Sequence, residues 1–361
     1  MVRISDILRR MGDEEGPSKK VPPAEKEKEK KIPPPPPTRE SPVELRGEII
    51  PTTKLGTEES FTVYQRLLDF VVKEIFEKVK EGEAQIEGKK VQVAVEMVVD
   101  RIRKGDSGLL YFATTHSTPD CYLHAHAVNV CIFSIHIGSG LGYDHTALLN
   151  LGVGALLHDL GMTRVMDIAE KKEKLSPEDY KKVQEHTRYT VDLLKQIKDI
   201  AEISMTIAQM SHERADGKGY PLGLSGTELS EEAQIVGLCD IYEALTHPRS
   251  YRARFLPFEA LKEILKGKEL FDSRVLKTFI QQITVYPVGS WIELSTGEQG
   301  EVIVTTPSLP LRPTLKVYFD SQKRKLAAPK VLDLSSHATL YVKRVIEAKD
   351  IPLKGTERDV P

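Results

Sequence analysis

The residues able to do chemistry in this chain are histidines and aspartates scattered over more than a hundred positions: His126, His158-Asp159, His186, His212 and Asp240, in that order. They sit in or beside the runs GALLHDLG, QEH, SHERADGKGYP and GLCDIYEAL. Imidazole and carboxylate together form the ligand set of a hydrolytic metal centre. The adjacent pair His158-Asp159 matters most, because a carboxylate has two oxygens and can bridge two ions. Two ions about 3.5–4 Å apart clamp a phosphate and supply hydroxide at neutral pH. His158 and Asp159 are therefore the expected catalytic pair.

Each position has its own argument. Asp159 follows the apolar run Leu-Gly-Val-Gly-Ala-Leu-Leu, and Asp240 lies within Ile-Val-Gly-Leu-Cys-Asp-Ile-Tyr. A carboxylate in such surroundings is costly unless it is paired or bound to metal. His186 lies on a polar helix face and by itself would read as exposed. His212 opens a Gly-rich stretch, with Glu213 beside it as an acceptor able to orient it. His116, His124, His126 and His136 all precede the His-Asp pair. His126 shares a helical face with Val130, Phe133 and Ile137 and is favoured as the inward one. The stretch Ala215-Asp-Gly-Lys-Gly-Tyr-Pro221 is expected to form a lip of the site, since its glycines permit close backbone approach. Lys218, Gly219, Tyr220, Arg249 and Arg252 are expected to meet substrate phosphates, with Arg254 beyond them.

These residues need helices to hold them. Tyr64, Leu67, Leu68, Val71, Val72, Ile75 and Val79 recur at helical spacing. Further helices are expected at about 91–102, 124–140, 145–158, 176–197, 198–211, 230–247 and 257–266. Ser176 is a natural cap, followed by Pro177 and then by Glu178 and Asp179 at the positive end of the helix. After about Val285 the pattern alternates. Trp291–Leu294 and Glu301–Val304 read as a hairpin, and Leu315–Phe319 and Thr339–Lys343 as further strands. The fold class is therefore mainly α with a small C-terminal β module. The expected division is a short amphipathic segment (1–20), a Pro/Lys/Glu-rich linker expected to be disordered (21–57), a helical region (58–115), the helical catalytic domain (116–285), the β module (286–347) and a tail (348–361).

With 361 residues, 40% of them hydrophobic and 29% charged, the composition is that of a globular protein. The formal net charge of −2 gives no general drive toward DNA or an anionic membrane. No apolar run reaches the roughly 18–20 residues of a membrane span. Cys121, Cys131 and Cys239 have no CxxC spacing and lie in apolar surroundings, which fits a reducing cytoplasm. The N-terminal segment is a potential docking peptide for a protein partner, and a homodimer is a further expectation.

The motifs HAVNV (126–130), HDLG (158–161), QEH (184–186), HERADGKGYP (212–221) and CDIYEALTHPRSYR (239–252) resemble those of the HD-GYP family, a branch of the HD metal phosphohydrolases. The resemblance covers roughly residues 60–285. It implies an all-helical cyclic di-GMP phosphodiesterase with an iron or manganese centre, and His126, His158, Asp159, His186, His212 and Asp240 as ligands with Asp159 bridging. The chain departs from that pattern in four places. Ser211 stands where the family has a first histidine, and Met162 where it has a lysine, for which Lys171 or Arg164 is the expected replacement. Tyr122 stands where trinuclear members have a glutamate, and Glu243 where they have an aspartate. Two divalent ions rather than three are therefore expected, the second held less tightly. The leading reading is hydrolysis of cyclic di-GMP to pGpG and onward to GMP. Its rival is a weakened domain acting as a cyclic di-GMP receptor or protein-interaction module, and a third reading is an HD-type hydrolase of another nucleotide.

Overall fold

The computed structural model describes residues 58–346 except for 83–85, 107, 116–121, 170, 172–174, 248–253, 284, 287 and 307–308. The N-terminal segment and linker, the tail, His116, Cys121, Arg249 and Arg252 lie outside the described residues.

Helix α1 (Glu58–Phe70) runs through a π-helical stretch at Val71–Phe76 into α2 (Glu77–Lys80). Its apolar stripe buries Tyr64, Leu67, Val71 and Ile75 as the spacing predicts. Helix α3 (Gly88–Arg103) buries Val91, Val95, Val98, Val99 and Ile102, and stops where Gly105 takes a positive φ of 79°. Helix α4 (Gly108–Thr115) was not anticipated. Its first free amide, Gly108 N–H, is taken by the Asp106 carboxylate at 2.7 Å.

Helices α5 (Tyr122–Gly140) and α6 (His145–Leu157) form the centre. Both are apolar on nearly every face, because other helices cover them on every side. They pack on one another, α5 also on α11 (Glu231–Thr246), and α6 also on α3 and on α10 (Glu202–Met210). The short α7 (Met166–Ala169) follows a 3-10 turn at Leu160–Arg164.

The helix expected over 176–197 is two helices. Ser176 caps α8 (Pro177–Gln184) by accepting from the Asp179 amide, as anticipated. The chain then tightens at Glu185, whose amide donates to the Lys182 carbonyl, and α9 (His186–Leu194) starts afresh. Helix α10 begins later than expected because Asp199 sits in the left-handed region at φ 62°. Helices α12 (Pro257–Lys266) and α13 (Ser273–Gln282) complete the helical part. The second was not anticipated, although Asp272 caps it and Val275, Leu276 and Phe279 mark its buried stripe.

Five antiparallel strands follow, in the order β4-β3-β2-β1-β5. The expected hairpin is β1 (Trp291–Leu294) with β2 (Gln299–Val304), in register Trp291 to Glu301. Strand β3 (Thr314–Phe319) lies beside β2. Strand β4 (Lys325–Asp333) was missed: it is an exposed edge with Pro329 in its middle and no buried alternation. The last strand, β5 (Val342–Ile346), starts later than the Thr339 expected. The Arg312 guanidinium gathers the carbonyls of His337, Ala338 and Leu340 and keeps that stretch a loop. Ile292, Leu294, Val302, Leu315 and Val317 belong to the same continuous apolar core as the helices.

Candidate metal centre

Six side chains from five parts of the chain converge between α5, α6, α9, α10 and α11. His126 lies in the middle of α5, fully buried. His158 ends α6, and Asp159 opens the following 3-10 turn. His186 starts α9, His212 follows α10, and Asp240 lies on α11. The close approach of the His158-Asp159 turn to α9 requires Gly161. A Cβ there would lie 2.1 Å from the His186 carbonyl oxygen.

Asp159 is the hub. Its Oδ1 lies 3.1 Å from His186 Nε2, 3.2 Å from His212 Nε2 and 3.6 Å from His158 Nε2, while Oδ2 faces His126 Nε2 at 3.7 Å. Asp240 spans the other side, with Oδ1 3.4 Å from His126 Nε2 and Oδ2 3.5 Å from His212 Nδ1. Two overlapping groups result, His126-His158-Asp159 and Asp159-His186-His212. The donor atoms of each lie within 4.8 Å of one another, as holding a cation requires.

Whether these groups suit a cation can be read from their unused atoms. His158 Nδ1 donates to the Ala155 carbonyl at 2.8 Å, which leaves its Nε2 lone pair facing inward. His186 Nδ1 donates likewise to the Val183 carbonyl at 2.6 Å. The Nε2 atoms of His126 and His158 are buried and have no hydrogen-bond partner. Buried ring nitrogens without a partner are rare, and here both lie within 3.7 Å of the same carboxylate. The residues fit divalent metal.

The electrostatics agree. Burial alone would raise the pKa of Asp159, but His158, His186 and His212 more than offset it and hold the carboxyl well below its ordinary range. Burial likewise opposes ionisation of Asp240, and His126 and His212 pull it down to about 2. Burial presses the His212 imidazole down to about 4, keeping it neutral and able to ligate.

Outer contacts fix His126. Burial disfavours its charged form, yet facing carboxylates lift its pKa well above the ordinary value. The Glu243 carboxylate meets its Nδ1 at 2.5 Å. Glu243 also accepts from Asn129 Nδ2 at 3.2 Å and from the Tyr122 hydroxyl at 3.1 Å, and Asn129 accepts from Tyr64. In sequence, Glu243 stands out only as a departure from the family pattern. Its place on the buried face of α11, three residues after Asp240, was the available signal. His124 faces away from the centre, its ring packed edge-on against Phe76.

Other expectations are redistributed. Glu213 does not orient His212. Its carboxylate accepts from the amides of Leu222, Gly223 and Leu224 at 2.6, 3.1 and 3.0 Å and so ties the Gly-rich loop closed. Tyr220 is packed inside. Its ring stacks on His212 at 5.0 Å and 7° and meets His186 edge-on, and its buried hydroxyl has no partner. Gly219 is spacing: a Cβ would lie 2.4 Å from the Glu213 and Arg214 backbone. Lys218 is exposed near Asp216. Lys171 pairs with Asp179 at 2.9 Å in an exposed position, and Met162 is fully buried. Ser211 Oγ donates to the Ala208 carbonyl and adds no ligand atom. Arg214, which the sequence reading passed over, buries its guanidinium beside Gly237 and donates to the carbonyls of Ser211 and Glu213.

Among known proteins, the HD domain family matches residues 123–275, and a KOW domain associated with HD domains matches residues 291–354. A cyclic di-GMP phosphodiesterase of Pseudomonas aeruginosa, PA4108, is 30% identical over 218 residues, 60% of this chain and 53% of that protein. The cyclic di-GMP phosphodiesterase PdeB of Borreliella burgdorferi is 27% identical over 55% of this chain and 52% of its own length. The chain thus spans about half the length of these relatives. Among solved structures, Bd1817, an HD-GYP-type protein of Bdellovibrio bacteriovorus, shares the fold with a TM-score of 0.52 at 20% identity, covering 61% of this chain and 70% of that one. No described helix is long and apolar enough to cross a membrane. The match to the HD domain family, residues 123–275, covers all six converging residues.

Proposed function

We propose that this chain hydrolyses cyclic di-GMP, first to linear pGpG and onward to GMP, at a centre of two divalent ions, iron or manganese. The observation that carries the reading is Asp159, which belongs to both groups of inward-pointing imidazoles, with Oδ1 toward His158, His186 and His212 and Oδ2 toward His126. The relatives named as cyclic di-GMP phosphodiesterases support the substrate. Bound in these groups, divalent ions would lower the pKa of water from 15.7 toward about 7 and neutralise charge on the phosphate.

The chain's own residues do the rest. Asp159 holds the two groups at a fixed separation. Glu243 keeps His126 in one orientation, and the carbonyls of Ala155 and Val183 do the same for His158 and His186. Tyr220 covers His212 and excludes water from that flank. Asp240 is the least covered of the six, with its side chain 15% exposed, and marks the open side where a phosphodiester enters. Lys218, Arg249 and Arg252 would supply the phosphate contacts.

The test is metal content of anaerobically purified protein together with turnover of cyclic di-GMP, for the wild type and Asp159→Ala. Metal-dependent product in the wild type, absent from a folded Asp159→Ala variant, is expected. Normal turnover in that variant would sink the two-metal reading. Metal without turnover would turn the reading toward another nucleotide.

A further inference from the structure

Away from the six converging residues lies a cleft of about 310 Å³, at the small end of ligand-site volumes, roughly 300–1,000 Å³. Three segments build it. The end of α2 and the turn beyond supply Val79, Lys80 and Ile86. The 3-10 turn that follows Asp159 supplies Arg164. The end of α9 and the residues after it supply Leu193, Gln196 and Ile197. Its wall therefore carries four aliphatic side chains and two cations.

Among the described residues, neither Lys80 nor Arg164 forms an ion pair. The Arg164 guanidinium lies 5.2 Å from the Tyr189 ring centroid, which holds it without neutralising it. No acidic side chain is among the described residues lining the cleft. Two unpaired positive charges match a phosphate monoester, which carries about −1.5 to −2 at pH 7. They match a singly charged diester less well. Arginine suits the bidentate geometry of such a group. Val79, Ile86, Leu193 and Ile197 offer an apolar surface to whatever the phosphate is attached to.

We propose that this cleft binds a small organic phosphate monoester of mononucleotide size as an effector. Its walls explain the consequence. Arg164 ends the turn that Asp159 opens, and Leu193 lies near the end of the helix that His186 starts. A ligand held by both joins the two segments that carry Asp159 and His186. The inference stands apart from the phosphodiesterase reading, since it concerns another face of the same helices.

The experiment is calorimetric titration of the metal-free full chain with guanosine 5′-monophosphate, guanosine and inorganic phosphate, with hydrogen exchange followed in parallel. The nucleotide is expected to bind at least about tenfold more tightly than either fragment. It should slow exchange at residues 160–164 and 193–197. Lys80→Glu with Arg164→Glu should weaken binding at least about tenfold, and Arg164→Lys less. Both side chains are exposed, so the variants are expected to fold, and their melting reports on this. No binding of the nucleotide, equal binding of guanosine, binding untouched by the double variant, or protection confined to residues 212–222 would each overturn the proposal.

Discussion

His186 and His212 bring their Nε2 atoms to 3.0 Å of one another, and one oxygen of Asp159 sits 3.1 and 3.2 Å from them. The His186 Nδ1 proton is already given to the Val183 carbonyl, so its Nε2 offers a lone pair. Electron-rich atoms this close need a proton or a cation between them.

Removing one of the trio is therefore informative. His212→Ala is expected to lower bound metal from about two ions per chain to about one. Turnover of cyclic di-GMP should fall with it. Elemental analysis of the purified variant, beside its circular dichroism spectrum, checks this. Unchanged stoichiometry would mean that His212 is not a ligand.

Glu243 acts through His126. Glu243→Gln keeps the volume but removes the charge that faces Nδ1. Partners of this kind are worth about 10–100-fold in metal affinity or activity. The expected loss is in that range and partly recovered at high metal concentration. Titration of the metal-free protein with Mn²⁺, read by turnover, measures it.

Glu213 is expected to act on the loop and not on the metal. Glu213→Ala leaves three amides without their acceptor, at a cost of about 1–3 kcal/mol for each that stays buried. Faster cleavage by protease between residues 214 and 225 should follow, with a raised KM and unchanged metal content. Loss of metal in this variant would return Glu213 to the role first expected of it.

The two converging carboxylates were legible in the sequence because burial is chemically loud: a carboxylate amid Leu, Val and Ile needs a reason, as at Asp159 and Asp240. The helices followed from periodicity for the same reason. What stayed hidden depended on angles that spacing does not encode. The break at Glu185 turns His186 inward although its helix face is polar. Glu213 sits beside His212 in sequence, yet its carboxylate turns to the amides nine to eleven residues on. Strand β4 was invisible because neither of its faces is buried.

The sheet carries its own pH dependence. Glu293 on β1 accepts from Lys343 and from Arg344, both on β5, and from Gln299, and its carboxyl is held down to about 2 from the ordinary 4.5. A depressed carboxyl adds stability that is complete above its ordinary value and is lost as pH falls through the folded one. The loss should therefore run between about pH 4.5 and 2. Both cations are half exposed, so the contribution is about 1 kcal/mol after solvent screening. Trp291, the single tryptophan, lies two residues away and reports it by fluorescence. Glu293→Gln should flatten the dependence in that window.

The apolar core that runs without interruption from the helices into the sheet has a practical consequence. Tyr286 stacks on Phe258, and Ile292 and Leu315 continue the same oily interior. A cut at residue 285 would therefore not liberate a tidy catalytic fragment. It would strip the cover from a hydrophobic flank, and the shortened protein would stick to itself in the tube before any assay could judge its chemistry.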